Sequence, residues 1–182
     1  LNVDAGTMSP FEHGECYVLN DGSETDLDLG NYERFLNTNL CNHNFITGGK
    51  IFYKTILSER KGAFLGQTVQ MVPHITNEIM ESIKNCVNKD KCKICIIELG
   101  GTIGDMESNF YVEALSQMKF DNKNNMCFVH VTKLLKEGSE FKTKPIQDSI
   151  KKIRFLGINP DFIVVRSEEL LDDPVKLKLY NT

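Results

Sequence analysis

The stretch Ile94-Cys95-Ile96-Ile97-Glu98-Leu99-Gly100-Gly101-Thr102-Ile103-Gly104-Asp105-Met106-Glu107 decides how this chain is read. Its apolar start has the composition of a buried strand, and the strand ends on a carboxylate. A glycine-rich turn follows and carries two more acids, Asp105 and Glu107. In open α/β folds, ligands bind beyond the carboxyl ends of parallel strands. Glu98 is placed there to hold a metal ion, and the glycines let backbone approach a nucleotide closely.

Outward from this segment, strands and helices alternate. Met126 to Val131 and Asp161 to Arg166 are further β-rich runs, the latter again ending on a charge. Helical spacing marks Ile51 to Arg60, Asn77 to Val87, Asn109 to Lys119 and Gln147 to Leu156. A helix starts near Asn31, another begins at Lys176, and Thr76 is the expected cap of the helix at Asn77. Cys16 to Leu19 is a short extended stretch, and Thr68 to Pro73 is an extended segment stopped by proline. Asp121 to Asn125 reads as a solvated turn. This alternation predicts an α/β domain with a mostly parallel sheet flanked by helices. Three parallel strands are too few for a sheet covered on both faces, and the first residue is Leu1, so further sequence is expected upstream.

Composition narrows the class. The chain has 182 residues, 41% of them hydrophobic, which fits one domain with a real core. A net charge of −4 argues against a general nucleic-acid or anionic-membrane binder. No segment approaches the ~20 apolar residues of a membrane span. Six scattered cysteines do not make a secreted disulfide scaffold, and the expectation is a cytoplasmic protein. Cys95 is expected to be a buried thiol. Cys92-Lys93-Ile94-Cys95 is formally a C-x-x-C pair, but no second ligand pair is visible in sequence, so coincidence is the simpler reading.

Three constellations carry chemistry. In Glu24-Thr25-Asp26-Leu27-Asp28-Leu29-Gly30 the acids alternate, which puts them on one face if the stretch is extended. Their oxygens suit Mg²⁺, and the plain alternative is a solvated acidic turn. Asp28 and Glu98, from separate segments, could clamp one Mg²⁺ on a triphosphate. Lys142-Thr143-Lys144-Pro145-Ile146-Gln147 sets two lysines before a proline suited to a first helical turn, a phosphate-binding arrangement or an ordinary basic loop. There is no G-x-x-x-x-G-K-[ST] motif, and Gly48-Gly49-Lys50 lacks the strand and first glycine of a phosphate loop. His13, His43, His74 and His130 are scattered, with His74 the one to watch.

Taken in order, these segments resemble the N-terminal synthetase (amidoligase) domain of CTP synthases. The matching stretches are Asn2 to Glu15, Asp26 to Phe35, Gly66 to Thr76, Glu98 to Glu107 and Lys142 to Gln147. The resemblance implies a P-loop NTPase-like, dethiobiotin-synthetase-like fold whose first strand and phosphate loop are missing from this chain. It implies amination of UTP to CTP with ATP, through a 4-phosphorylated UTP, by ammonia from glutamine. It assigns Asp28 and Glu98 as catalytic Mg²⁺ ligands, Asp28 also on the ATP side. Asp105, Met106 and Glu107 resemble the segment that recognises CTP as feedback inhibitor. Lys142, Thr143, Lys144, Pro145, Ile146 and Gln147, with Lys178, correspond to the site shared by UTP and CTP.

The same resemblance implies a homotetramer and a glutaminase domain absent from this chain, which alone is expected to be inactive. None of the six cysteines has the glutaminase nucleophile's context. Thr132 to Phe141 departs from the family's proline-containing loop and reads as shorter. The rival class is a non-catalytic pyrimidine-nucleotide-binding regulatory or assembly module, separable by nucleotide binding without turnover.

Overall fold

The computed structural model describes residues 3–4, 10–13, 16–122, 125–138 and 140–182. Most of the resembling stretch between Asn2 and Glu15 therefore lies outside the described residues, as do Lys123 and Asn124 of the expected turn. The chain is α/β and divides into two compact units, Leu1–Glu98 and Leu99–Thr182.

In the first unit a short helix α1 (Pro10–His13) precedes an antiparallel pair, β1 (Cys16–Val18) and β2 (Glu24–Asp26). The connecting turn needs Gly22, whose φ is +84°. Helix α2 (Leu27–Leu36) follows β2 directly. Glu33 anchors it, accepting from Tyr17 Oη at 2.6 Å and from the Leu40 amide at 2.7 Å. Those two hydrogen bonds hold the Glu33 carboxyl below the usual range. Helix α3 (Gly48–Arg60) is capped by Thr47, whose hydroxyl accepts from the Lys50 amide and donates to Asp4 at 2.7 Å. A Cβ on Gly49 would sit 2.6 Å from that of Asp4. Gly48-Gly49-Lys50 is thus a tightly packed helix start, as expected for a stretch that is not a phosphate loop.

Thr68 to Pro73 has extended backbone at Gln70 (φ −127°, ψ 164°) and Val72 (φ −114°, ψ 125°), although it pairs with no strand among the described residues. A cis Val72–Pro73 bond follows, and the chain turns through Met71–Ile75 toward the next helix. Helix α4 (Thr76–Asp90) continues from it, with Ile75 at the N-cap position. Thr76 does not cap: it is fully buried and donates to the Pro73 carbonyl at 3.1 Å. Ile79 and Ile83 of α4 and Ile51 of α3 are buried apolar positions of this unit, spaced at helical period. His74 is structural. It accepts from the Gln70 amide and meets Phe64 edge-on at 5.1 Å.

Ile94 to Glu98 forms no strand. Ile94 and Ile96 are 83% and 85% exposed, and Cys95 is exposed rather than buried. A strand's backbone groups are satisfied by a neighbouring strand, and among the described residues none pairs with this run.

The second unit holds helix α5 (Met106–Asp121) and a parallel pair, β3 (Val129–Lys133) with β6 (Phe162–Arg166), in register His130 to Ile163. Between them run an antiparallel hairpin, β4 (Leu135–Glu137) with β5 (Glu140–Lys142), and helix α6 (Lys144–Phe155). Helix α7 (Asp173–Tyr180) closes the unit, capped by Asp172. The divergent stretch from Thr132 to Phe141 is thus largely the end of β3 and the hairpin. Leu134, Ile146, Ile150 and Leu179 form the core, with Ile163 and Val165 of β6 packed against them. The opposite strand positions, Val129, Val131, Phe162 and Val164, are exposed. The expected α/β class with a parallel sheet is thus present as the small parallel pair β3–β6 and its helices, and the other two two-stranded sheets among the described residues are antiparallel.

Asp161 ties α5 to the start of the parallel pair. Its carboxylate accepts from the Phe128 amide at 2.7 Å and from Lys119 Nζ at 2.9 Å. The amide first, then the lysine, holds its carboxyl below the usual range. The unfolded carboxyl titrates at its ordinary, higher value. The stabilisation is therefore present above that value and is lost as pH falls through the depressed folded one. Asp161→Asn is expected to shift the acid-unfolding midpoint of the chain upward, by a small amount because the pair is solvent-screened. An unchanged acid limb, followed by circular dichroism, would contradict this.

Candidate functional site

The acids that alternate in sequence are split by structure. Glu24 and Asp26 stand on one face of β2, opposite the buried Thr25. Asp28 lies past the strand, in the first turn of α2, so the one-face reading fails for it. A helix begins here because Asp26 takes the extended N-cap conformation, φ −65° and ψ 150°. Asp26 makes no side-chain cap bond, which leaves its carboxylate available. Asp28 in the first turn is favoured by the positive end of the helix dipole.

Glu98 comes close enough to this corner to feel both acids. Partial desolvation, then the charge of Asp28, then that of Asp26, push its carboxyl above the usual range. Among the described residues no lysine or arginine forms an ion pair with Asp26, Asp28 or Glu98. The hard oxygen donors of these carboxylates are of the type that suits Mg²⁺, although the three are not gathered within 4.8 Å of one another. Asp26 is the member that sequence reading left out of the ligand pair, although the alternating pattern contained it. A cleft of about 460 Å³ lined by Tyr17, Gly30 and Arg34 among others runs along α2 and includes neither Asp28 nor Glu98.

In the second unit, the glycine-rich turn delivers Asp105, Met106 and Glu107 to the start of α5. Gly101 and Gly104 have φ of +89° and +87°. The side chain of Lys152 lies across Gly104, where a Cβ would collide with it. Buried Ser108 fastens the turn by donating to the carbonyls of Asp105 and Thr102. Asp105 takes the N-cap position without a side-chain cap bond, and Asp105, Met106 and Glu107 are all exposed.

Lys142 ends β5, and Lys144 and Pro145 open α6. Thr143 and Ile146 are buried and fix the loop to the core, whereas Lys144 and Pro145 face solvent. Lys142 Nζ is held by Glu140 at 2.9 Å and Glu137 at 3.4 Å, and Lys144 by Asp148 at 3.2 Å. An anion here must compete with those carboxylates. Gln147 donates to Thr182 Oγ1 at 3.1 Å, and Thr182 donates to the Lys178 carbonyl at 3.0 Å. The charges of Lys142 and, more weakly, Lys178 both lower the Glu140 carboxyl. Lys178, far away in sequence, therefore belongs to the same corner as Lys142 to Gln147. Glu140 and Thr182 complete that corner, and no local motif announces either.

A family model described as CTP synthase N-terminus matches residues 1–182. The chain belongs to the CTP synthase N-terminus family. Its similar relatives include the CTP synthase of Clostridium kluyveri, 50% identical over 182 residues, and that of Sulfolobus acidocaldarius, 48% identical over 181 residues. That of Methanosarcina barkeri is 49% identical over 181 residues. Each match covers 98% of this chain and 34% of the relative, so the chain spans about a third of the length of these CTP synthases. No helix among the described residues is long and apolar enough to cross a membrane.

Proposed function

We propose that this chain is the synthetase part of a CTP synthase and takes part in the ATP-dependent amination of UTP. A family match over the whole chain carries this reading. The intact enzyme is a homotetrameric cytoplasmic ligase with a P-loop NTPase-like synthetase domain. A separate glutaminase domain supplies ammonia, which displaces the phosphate of a 4-phosphorylated UTP.

Asp28 and Glu98 are the proposed metal ligands, with Asp26 beside them adding negative potential. Mg²⁺, when bound, offsets charge on the phosphate oxygens of ATP. The protein's own part is positional. The β2–α2 junction presents Asp28 at a helix N-terminus, and the approach of Glu98 concentrates negative charge there. Lys142 to Gln147 and Lys178 are proposed to hold the pyrimidine nucleotide. The first turn of α6 offers backbone N–H groups to phosphate, and the lysines exchange their carboxylate partners for it.

Asp105 and Glu107 are proposed to read the product. Carboxylates accept hydrogen bonds from the amino group of cytosine, which uracil lacks. Glu107→Ala in the intact enzyme is expected to weaken inhibition by CTP about 10-fold, the worth of one charge-assisted hydrogen bond, with little change in UTP turnover. Unchanged inhibition would remove Glu107 from that role.

The reaction itself is tested by following CTP formation from UTP, ATP and ammonia with the intact protein. Binding of UTP and CTP by calorimetry with no turnover would instead favour the non-catalytic nucleotide-binding module.

A further inference from the structure

Away from the carboxylate corner, the first unit gathers a second set of ligand-type side chains. His43 sits in the 3₁₀ turn Asn42–Asn44. Cys86 and Asp90 are one turn apart on one face of α4, the latter at its last residue. His43 Nε2 is 2.8 Å from Asp90 Oδ1, and Cys86 Sγ is 3.7 Å from Asp90 Oδ2. The three ligand atoms all lie within 4.8 Å of one another, the one such group among the described residues. On a tetrahedral zinc ion, bonds of about 2.0–2.3 Å place neighbouring ligand atoms roughly 3.3–3.7 Å apart. Asp90 lies near that spacing from each partner through a different oxygen, and the set as a whole, within 4.8 Å, has to draw in by up to about an ångström.

Two features set this group apart from an ordinary surface contact. Asp90 ends a helix, where the partial negative charge of the carbonyls disfavours a carboxylate and favours a cation beside it. Asn44 supports both other ligands: its Nδ2 donates to Asp90 Oδ2 at 2.7 Å and to Cys86 Sγ at 3.2 Å. The amide's orientation is set by its other end, because Oδ1 accepts from the Cys41 backbone at 2.8 Å. Donors aimed at a carboxylate and a sulfur are what a metal-bound carboxylate and thiolate require around them. Past the end of α4, burial first and then the nearby thiols of Cys86 and Cys92 push the Cys95 thiol up, while the group within ligand distance is His43, Cys86 and Asp90.

We propose that His43, Cys86 and Asp90 bind a thiophilic tetrahedral divalent cation of the zinc class, with the fourth position left to water or a further ligand. Nitrogen and sulfur donors separate this site from the all-oxygen corner at Asp28 and Glu98 and reject Mg²⁺. The ion would join the 42–44 turn to the end of α4.

The test uses the full chain, reduced and stripped of metal, titrated with Co²⁺ and then with Zn²⁺. The expected result is one Co²⁺ per chain with tetrahedral visible bands and a thiolate-to-cobalt charge-transfer band, both abolished by Zn²⁺. His43→Ala and Cys86→Ser are each expected to weaken Co²⁺ binding at least about 10-fold, as is Asn44→Ala acting through the ligands. Cys127→Ser, in the other unit, is expected to leave binding unchanged. Should Cys86→Ser not fold by circular dichroism, Asp90→Asn, of nearly identical shape, decides in its place. Absence of the charge-transfer band, or affinity unchanged in His43→Ala and Asp90→Asn, overturns the site.

Discussion

Glu98→Gln in the intact enzyme is expected to lower CTP formation by about 100-fold or more, ~3 kcal/mol of barrier. The argument is electrostatic. Asp26, Asp28 and Glu98 place negative charge in one corner with no basic ion-pair partner among the described residues, and partial desolvation first, then the charges of Asp28 and Asp26, raise the Glu98 carboxyl. Gln keeps the shape and removes one charge, so the corner holds a cation less tightly just where phosphoryl transfer needs it. The chain itself has no reason to unfold, because Glu98 is exposed and the change relieves repulsion. The loss is therefore expected in turnover and in the Mg²⁺ concentration for half-activity, with the circular dichroism spectrum unchanged. Turnover near that of the unaltered enzyme would remove Glu98 from the metal site.

Ile150→Ala is expected to cost about 2–5 kcal/mol of stability, the range for deleting a fully buried isoleucine side chain. Ile150 is 0% exposed and lies in the cluster formed with Leu134, Ile146 and Leu179. That cluster holds α6 and α7 against β6, and those helices carry Lys144, Gln147 and Lys178. A cavity there loosens both ends of the proposed pyrimidine corner. The expected readouts are a lower urea midpoint and a raised KM for UTP. Phe155→Ala, at the exposed end of the same helix, provides the contrast: Phe155 is 89% exposed, and its loss is expected to change stability by no more than about 0.5 kcal/mol. Equal effects from the two substitutions would contradict this account of the core.

The helices were legible for a simple reason. α3, α4 and α5 each include the interval marked by apolar spacing and extend beyond it by one to three residues at one end or both, while α6 starts three residues before its interval and stops one short of it, at Phe155. The parallel pair was legible in part: Asp161 to Arg166 contains β6, and Met126 to Val131 overlaps β3 only over Val129 to Val131. The turn from Gly100 to Asp105 was legible through its glycines, two of which adopt the positive φ that only glycine reaches without strain. The misreadings concern partners rather than propensity. Ile94 to Glu98 has strand composition, yet among the described residues no neighbour satisfies its backbone. Thr68 to Pro73 keeps extended backbone at Gln70 and Val72, and the Ile75 amide, donating back to the Gln70 carbonyl, turns the chain into the start of α4.

The candidate sites divide in the same way. Asp28, Glu98, Asp105, Glu107 and the Lys142 to Gln147 segment with Lys178 are proposed from residue type, motif order and family resemblance. Asp26 as a neighbour of Glu98, Thr182 beside Gln147, and the meeting of His43 with Cys86 and Asp90 were not legible there. Sequence alone determined the helices, the glycine turn and the family, because hydrogen bonding within a helix and backbone preference at glycine act over a few residues. The tertiary structure decided which carboxylates share a field, which lysines are engaged by acids and which thiols find a histidine. Those depend on Coulomb and contact interactions that fall off with distance in space and are indifferent to separation along the chain.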